Sequence, residues 1–142
     1  RREFLPGEAR GGAVLFQLPP FLKKDLPRLT EFLTLLPEGH GAAFEFRNDS
    51  WFDAEVFELL RRHNTAFGVV EKGEGDKGEN PPREVTGPFV YMRLRKGEYS
   101  TEEMIEWARW MKSQTVPVYC YLKHDDRAPA LAKELLKALS EH

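Results

Sequence analysis

Seven polar residues sit where short apolar segments end: Gln17, Glu45, Arg47, Glu71, Arg93, Arg95 and Lys123. Glu45 and Arg47 are two apart in AAFEFR, so on an extended strand they share one face while Phe44 and Phe46 share the other. A carboxylate held by a guanidinium can act as a general base or acid, and the guanidinium can grip an anion with two parallel hydrogen bonds. Arg93, Arg95 and Lys123 add cations from two further segments. With Arg47 they make four cations against Glu45 and Glu71, a local positive excess that suits a phosphate or carboxylate ligand. The plainer reading is a buried ion-pair network that fills space and carries no chemistry.

These residues need elements to position them. Five segments read as strands: Ala13–Leu18, Ala42–Arg47, Ala66–Glu71, Phe89–Arg95 and Val118–Lys123. Each is rich in β-branched or aromatic residues and is set off by Gly, Pro or polar residues. Four segments read as helices. Leu22, Leu26, Leu29, Phe32, Leu33 and Leu36 fall at helical spacing, with Asp25 as cap and Pro27 in the first turn. Phe52, Val56, Leu59 and Leu60 follow Ser50 and Asp53, a capping-box-like pair. Met104, Trp107, Ala108 and Met111 follow Ser100 and Glu103, a full capping box, and Leu131, Leu135, Ala138 and Leu139 close the chain.

Strand–helix alternation implies parallel strands joined by crossover helices. In each strand one face is apolar and the other turns polar toward the C-terminal end. Tyr91, Arg93 and Arg95 oppose Val90, Met92 and Leu94; Tyr119, Tyr121 and Lys123 oppose Val118, Cys120 and Leu122; Gln17 opposes Phe16 and Leu18. Glu71, on the parity of Phe67 and Val69, is grouped with the polar set. An open sheet covered on both sides would be apolar on both faces. The pattern fits a (β/α) barrel, whose sites lie at the C-terminal ends of the strands. The fold class expected is α/β: a TIM-barrel-like repeat, a partial barrel of about five parallel strands, forming a single domain over residues 1–142. Five strands do not close an eight-stranded barrel. Three units preceding the chain, a second polypeptide or a homodimer would complete the sheet and cover an edge otherwise open to aggregation. The Gly-, Pro- and charge-rich stretch 72–88 has no periodicity and reads as a flexible loop.

Composition bounds the function. The 142 residues are 41% hydrophobic and 31% charged, as in soluble globular domains, and the net charge of −2 gives no general attraction to nucleic acid. No apolar run reaches the roughly 20 residues of a membrane helix, and no signal peptide is visible. One cysteine, Cys120, excludes an internal disulfide and fits a reducing, cytoplasmic setting. It reads as a small core residue. Gly73 to Gly78 matches G-x-G-x-x-G, but Pro81-Pro82 follows where a helix would have to begin, so no dinucleotide site is assigned. His124-Asp125-Asp126 lacks further ligands, and His40, His63 and His142 are not placed to help, so neither a metal nor a Ser–His–Asp triad is expected. No cofactor is expected. Trp107 and Trp110 read as core, whereas Trp51, just after the Glu45 strand, reads as a wall of the site.

FQLPP, then FEFR-x-x-SW, then the RLR and YS-x-E-E block, in that order across residues 12–139, closely resemble the YecE-like family (domain of unknown function 72). The resemblance implies a TIM-barrel-like protein of roughly twice this length, of which this chain is the C-terminal portion, and it implies no established activity. Family members usually carry His where this chain has Asn48, and the loop after Glu71 departs from the family pattern. Two functions follow. The first is an enzyme-type pocket for a small anionic ligand, with Glu45 or Glu71 as acid or base and Gln17, Arg47, Trp51, Arg93, Arg95 and Lys123 lining it. The second is a non-catalytic module that binds protein or nucleic acid, its charges forming a structural network.

Overall fold

The computed structural model describes residues 5–7, 14–123 and 127–142. Its strands are β1 (Leu5–Gly7), β2 (Val14–Gln17), β3 (Ala42–Glu45), β4 (Ala66–Val70), β5 (Val90–Leu94) and β6 (Val118–Leu122). Its helices are α1 (Leu26–Leu35), α2 (Ala54–Arg62), α3 (Thr101–Lys112) and α4 (Ala128–Glu141). The sheet runs in sequence order from β1 to β6. Strands β2 to β6 are parallel and curl into a half-barrel that alternates with helices, as expected of a partial TIM-barrel-like fold. One strand is additional: β1 pairs antiparallel with β2. Its three residues, Leu-Pro-Gly, are too few to show a period, so pattern reading passes over them.

The helix starts follow capping chemistry. Asp25 accepts from the Arg28 N–H at the start of α1, and Ser100 and Glu103 form the reciprocal capping box of α3. At α2 the sequence expectation needs correction. Ser50 is not the cap: Asp49–Trp51 forms a short 3-10 turn capped by Asn48, and Asp53 caps α2 by accepting from the Val56 N–H. Ser50 is used otherwise, its Oγ accepting from the Lys24 N–H at 2.8 Å.

Parity divides the core in two. Phe16, Phe44, Phe46, Phe67, Val69, Val90, Met92, Leu94 and Cys120 point to the helices. There Phe44, Phe46 and Trp51 form a stacked run, with Phe46 and Trp51 centroids 4.7 Å apart. The opposite, inner face carries Leu15, Ala43, Ala66, Val70 and Tyr91, with Tyr119 and Tyr121 packed against them. β3 and β4 are buried throughout, whereas β6, at one end of the sheet, is half-exposed along its whole length. Among the described residues no helix is long and apolar enough to cross a membrane.

The inner face is narrow where β4 passes β3. A Cβ on Gly68 would lie 2.8 Å from the Phe44 carbonyl oxygen and 3.4 Å from the Glu45 Cα. Both are backbone atoms of a buried strand and cannot swing aside. Gly68→Ala is therefore expected to destabilise the fold by about 1–3 kcal/mol, the usual cost of overpacking, measured as a lower urea midpoint at unchanged slope.

Candidate functional site

Glu45 ends β3 on the inner face and is 2% exposed. A buried carboxylate is tolerated only when it is paired, and three neighbours pair it. Gln17, its partner in the β2–β3 register, donates from Nε2 to Oε1 at 3.1 Å. Arg93 on β5 donates from a terminal nitrogen to the same oxygen at 3.3 Å. Arg47 Nε lies 3.6 Å from Oε2, an ion pair without hydrogen-bond contact. The two arginines keep 31% and 39% of their side chains exposed, so each has donors left for another partner. Tyr91 lies beside this group. Burial, with Glu45 adding to it, pushes its phenol up to about 12, so it stays protonated and able to donate.

Above Glu45 lies a cavity of about 330 Å³ lined by Glu45, Arg47, Lys72, Asp76, Lys77 and Arg95, with Pro20, Phe46, Val70 and Gly75 completing it. Its walls are the loops at the C-terminal ends of β2, β3, β4 and β5, and these are tied together. Asn48 donates to the Pro20 carbonyl at 2.9 Å, and Lys24 holds both Asp53 and Glu55. The stretch 72–88 contains neither helix nor strand, yet it is anchored at several points. Lys72 Nζ donates to the Arg47 carbonyl at 3.0 Å, Arg95 donates to Asp76 at 2.6 Å, and the Gly97 N–H donates to Glu74 at 3.0 Å.

The structure brings Gln17, Glu45, Arg47, Arg93 and Arg95 to this mouth. Three other sequence candidates lie apart from it. Glu71 has the parity of Phe67 and Val69, and those residues face the helices. Glu71 accordingly turns away from Glu45 and accepts from the Tyr99 hydroxyl, with Lys96 and Glu103 nearby. Grouping it with the inner face was an error of parity. Trp51 is fully buried and donates Nε1–H to the Leu22 carbonyl at 2.8 Å. It supports Phe46 from the helix side and is not a wall of the cavity. Lys123 is exposed at the end of β6, on the side of Glu74, and does not line the cavity. Lys72, Asp76 and Lys77 do line it, although they lie in an aperiodic stretch where no spacing signal marks them.

His124, Asp125 and Asp126 lie outside the described residues. Among the described residues no group of three or more His, Cys, Asp or Glu is placed to hold a metal ion. Cys120 faces the helices, and burial pushes its thiol up to about 12, which suppresses the thiolate. His40 lies at the opposite end of β3, where its Nδ1 accepts from the Ala42 N–H at 2.8 Å.

The chain matches the family model described as protein of unknown function DUF72 over residues 2–142. It belongs to the DUF72 family. Among solved structures, this DUF72 chain is similar to a DUF72 family protein from Thermotoga maritima MSB8, with a TM-score of 0.72 and 24% identity, covering 89% of this chain and 57% of that one. It is also similar to a DUF72 family protein from Enterococcus faecalis V583, with a TM-score of 0.69 and 17% identity, covering 92% of this chain and 59% of that one. At these identities the likeness speaks to the fold. The chain spans under two thirds of the length of both. A comparison with curated proteins finds no match.

The Glu71 cluster yields a sign-definite expectation. Burial is the leading influence on Glu71 and raises its pKa, outweighing the Tyr99 hydroxyl and Lys96, which favour the charged form. The folded state therefore holds this proton more tightly than the unfolded one, so stability falls as pH rises through the ordinary glutamate range toward the raised folded value. Glu71→Gln keeps an acceptor for Tyr99 and removes the charge. Its Tm should exceed that of the parent at pH 7, with the gain shrinking as pH is lowered through about 4.3, the unperturbed value. A gain that persists undiminished at pH 3.5 would show that the carboxylate charge is not the cause.

Proposed function

We propose that the mouth of the half-barrel binds a small anionic ligand bearing a phosphate or carboxylate group, at the C-terminal ends of the strands. The observation that carries this reading is the charge inside one cavity: Arg47, Lys72, Lys77 and Arg95 against Glu45 and Asp76. Arg47 in particular holds Glu45 only at ion-pair distance and keeps 39% of its side chain exposed. Its remaining donors suit a planar or tetrahedral oxyanion. Glu45 fixes the cations in place and is the strand carboxylate set to accept a proton from a bound ligand, which makes it the acid–base residue if the ligand is turned over. Glu71, in its separate Tyr99 cluster, is given no part in that step.

A second reading also has support. No buried side-chain nitrogen or oxygen among the described residues lacks a hydrogen-bond partner, and Glu45 is satisfied without a ligand. This favours a structural charge network in a non-catalytic module. Two variants separate the readings. Arg47→Gln should weaken inorganic phosphate binding about tenfold, the loss of one charge-assisted hydrogen bond of about 1.5 kcal/mol, in a calorimetric titration at low ionic strength. An unchanged affinity would count against the mouth as the site. Glu45→Gln should cost only about 1 kcal/mol if Arg47 and Arg93 can turn to solvent, and about 3 kcal/mol or more if the network is structural.

A further inference from the structure

The cavity already contains an anion of the chain's own making. Asp76 stands in the turn Gly73–Asp76, where its N–H donates to the Gly73 carbonyl at 3.2 Å and its Oδ2 accepts from the Gly73 N–H at 2.9 Å. Gly75, at φ +85°, supplies the left-handed residue that closes the turn. The same Oδ2 accepts from Arg95 at 2.6 Å. Asp76 and Arg95 both line the cavity with Arg47 and Lys77. The Gly73 N–H and Arg95 both hold the Asp76 carboxyl below its usual range, so it is ionised at neutral pH.

We infer that Asp76 is the specificity-determining residue of the mouth: a resident carboxylate on Arg95 that a phosphoryl dianion displaces and a simple carboxylate does not. The inference rests on the anion reading of the cavity. Its logic is one of exchange. Arg95 is occupied in the unliganded protein, so any ligand that engages Arg95 must take the place of a carboxylate. A monocarboxylate replaces like with like, and the exchange gains no charge. A phosphate monoester or inorganic phosphate brings a second negative charge and a third oxygen, which can engage Arg95 and Arg47 or Lys77 together. The two cations in excess of carboxylates then match the dianion. Asp76 can leave by turning about its own side-chain bonds, which breaks its Oδ2 contacts with the Gly73 N–H and Arg95 and leaves the Glu74–Gly97 anchor in place.

The test is a titration of the protein with inorganic phosphate and, separately, with acetate, at pH 8 and low ionic strength. The parent should bind phosphate at least about tenfold more tightly than acetate, a gap of about 1.4 kcal/mol. Asp76→Asn keeps an oxygen for the Gly73 N–H and loses the charge. It should tighten acetate binding about fivefold or more, because acetate then meets an Arg95 with no resident carboxylate. In an Arg95→Gln background the same substitution should change acetate affinity by less than about twofold, since coupling is confined to residues in contact. Acetate binding unchanged by Asp76→Asn would overturn the inference while leaving the anion site standing. So would a gain of equal size without Arg95, which would mark a general field effect. Absence of phosphate binding in both the parent and Asp76→Asn would overturn the inference together with the anion reading beneath it.

Discussion

A carboxylate at 2% exposure must be fully paired, and the arrangement of the half-barrel's mouth follows from that requirement at Glu45. Gln17 comes to it from β2, Arg93 from β5, and Arg47 from the loop that follows its own strand. Three separate parts of the chain thus converge on one pair of oxygens. The convergence demands a curled sheet, because β5 is two strands away from β3 in the order of the sheet. It also demands small residues between them. Ala43, Ala66 and Gly68 leave the inner face thin enough for Arg93 to reach across β4.

The same pairing leaves a surplus. Glu45 draws the guanidinium groups inward without using all their donors, and the cavity above it adds Lys72, Lys77 and Arg95. Asp76 answers part of that charge from the 72–88 stretch, which therefore belongs to the mouth although it has no regular structure. At the opposite end of the sheet His40 is spent on the Ala42 and His63 backbone, as befits the end of a barrel that serves stability.

Much of this is legible in the sequence. Period-two alternation placed Glu45 with Arg47 and Tyr91 with Arg93 and Arg95, because parity within a strand is fixed by the pleat. The partial barrel follows from the apolar-outside, polar-at-the-end pattern of β2, β3, β5 and β6. Glu71 was misgrouped because it lies beyond the last residue of β4, where polarity and parity point in opposite directions and parity prevails. Trp51 was misread because proximity in sequence to Glu45 conceals a turn that carries its ring to the helix side. The Asp76–Arg95 contact spans 19 residues of aperiodic chain and leaves no local signal. β1 was missed for the related reason that three residues carry no period.

If the mouth is an anion site, as proposed, Glu45 arranges its cations for an anion outside the chain. The most direct test is a crystal of this DUF72 protein soaked in inorganic phosphate. A phosphate is expected in the cavity within hydrogen-bond distance of Arg47 and Arg95, with Asp76 displaced from Arg95. A cavity that stays empty at saturating phosphate, with Asp76 still on Arg95 and Glu45 still held by Gln17 and Arg93, would contradict it.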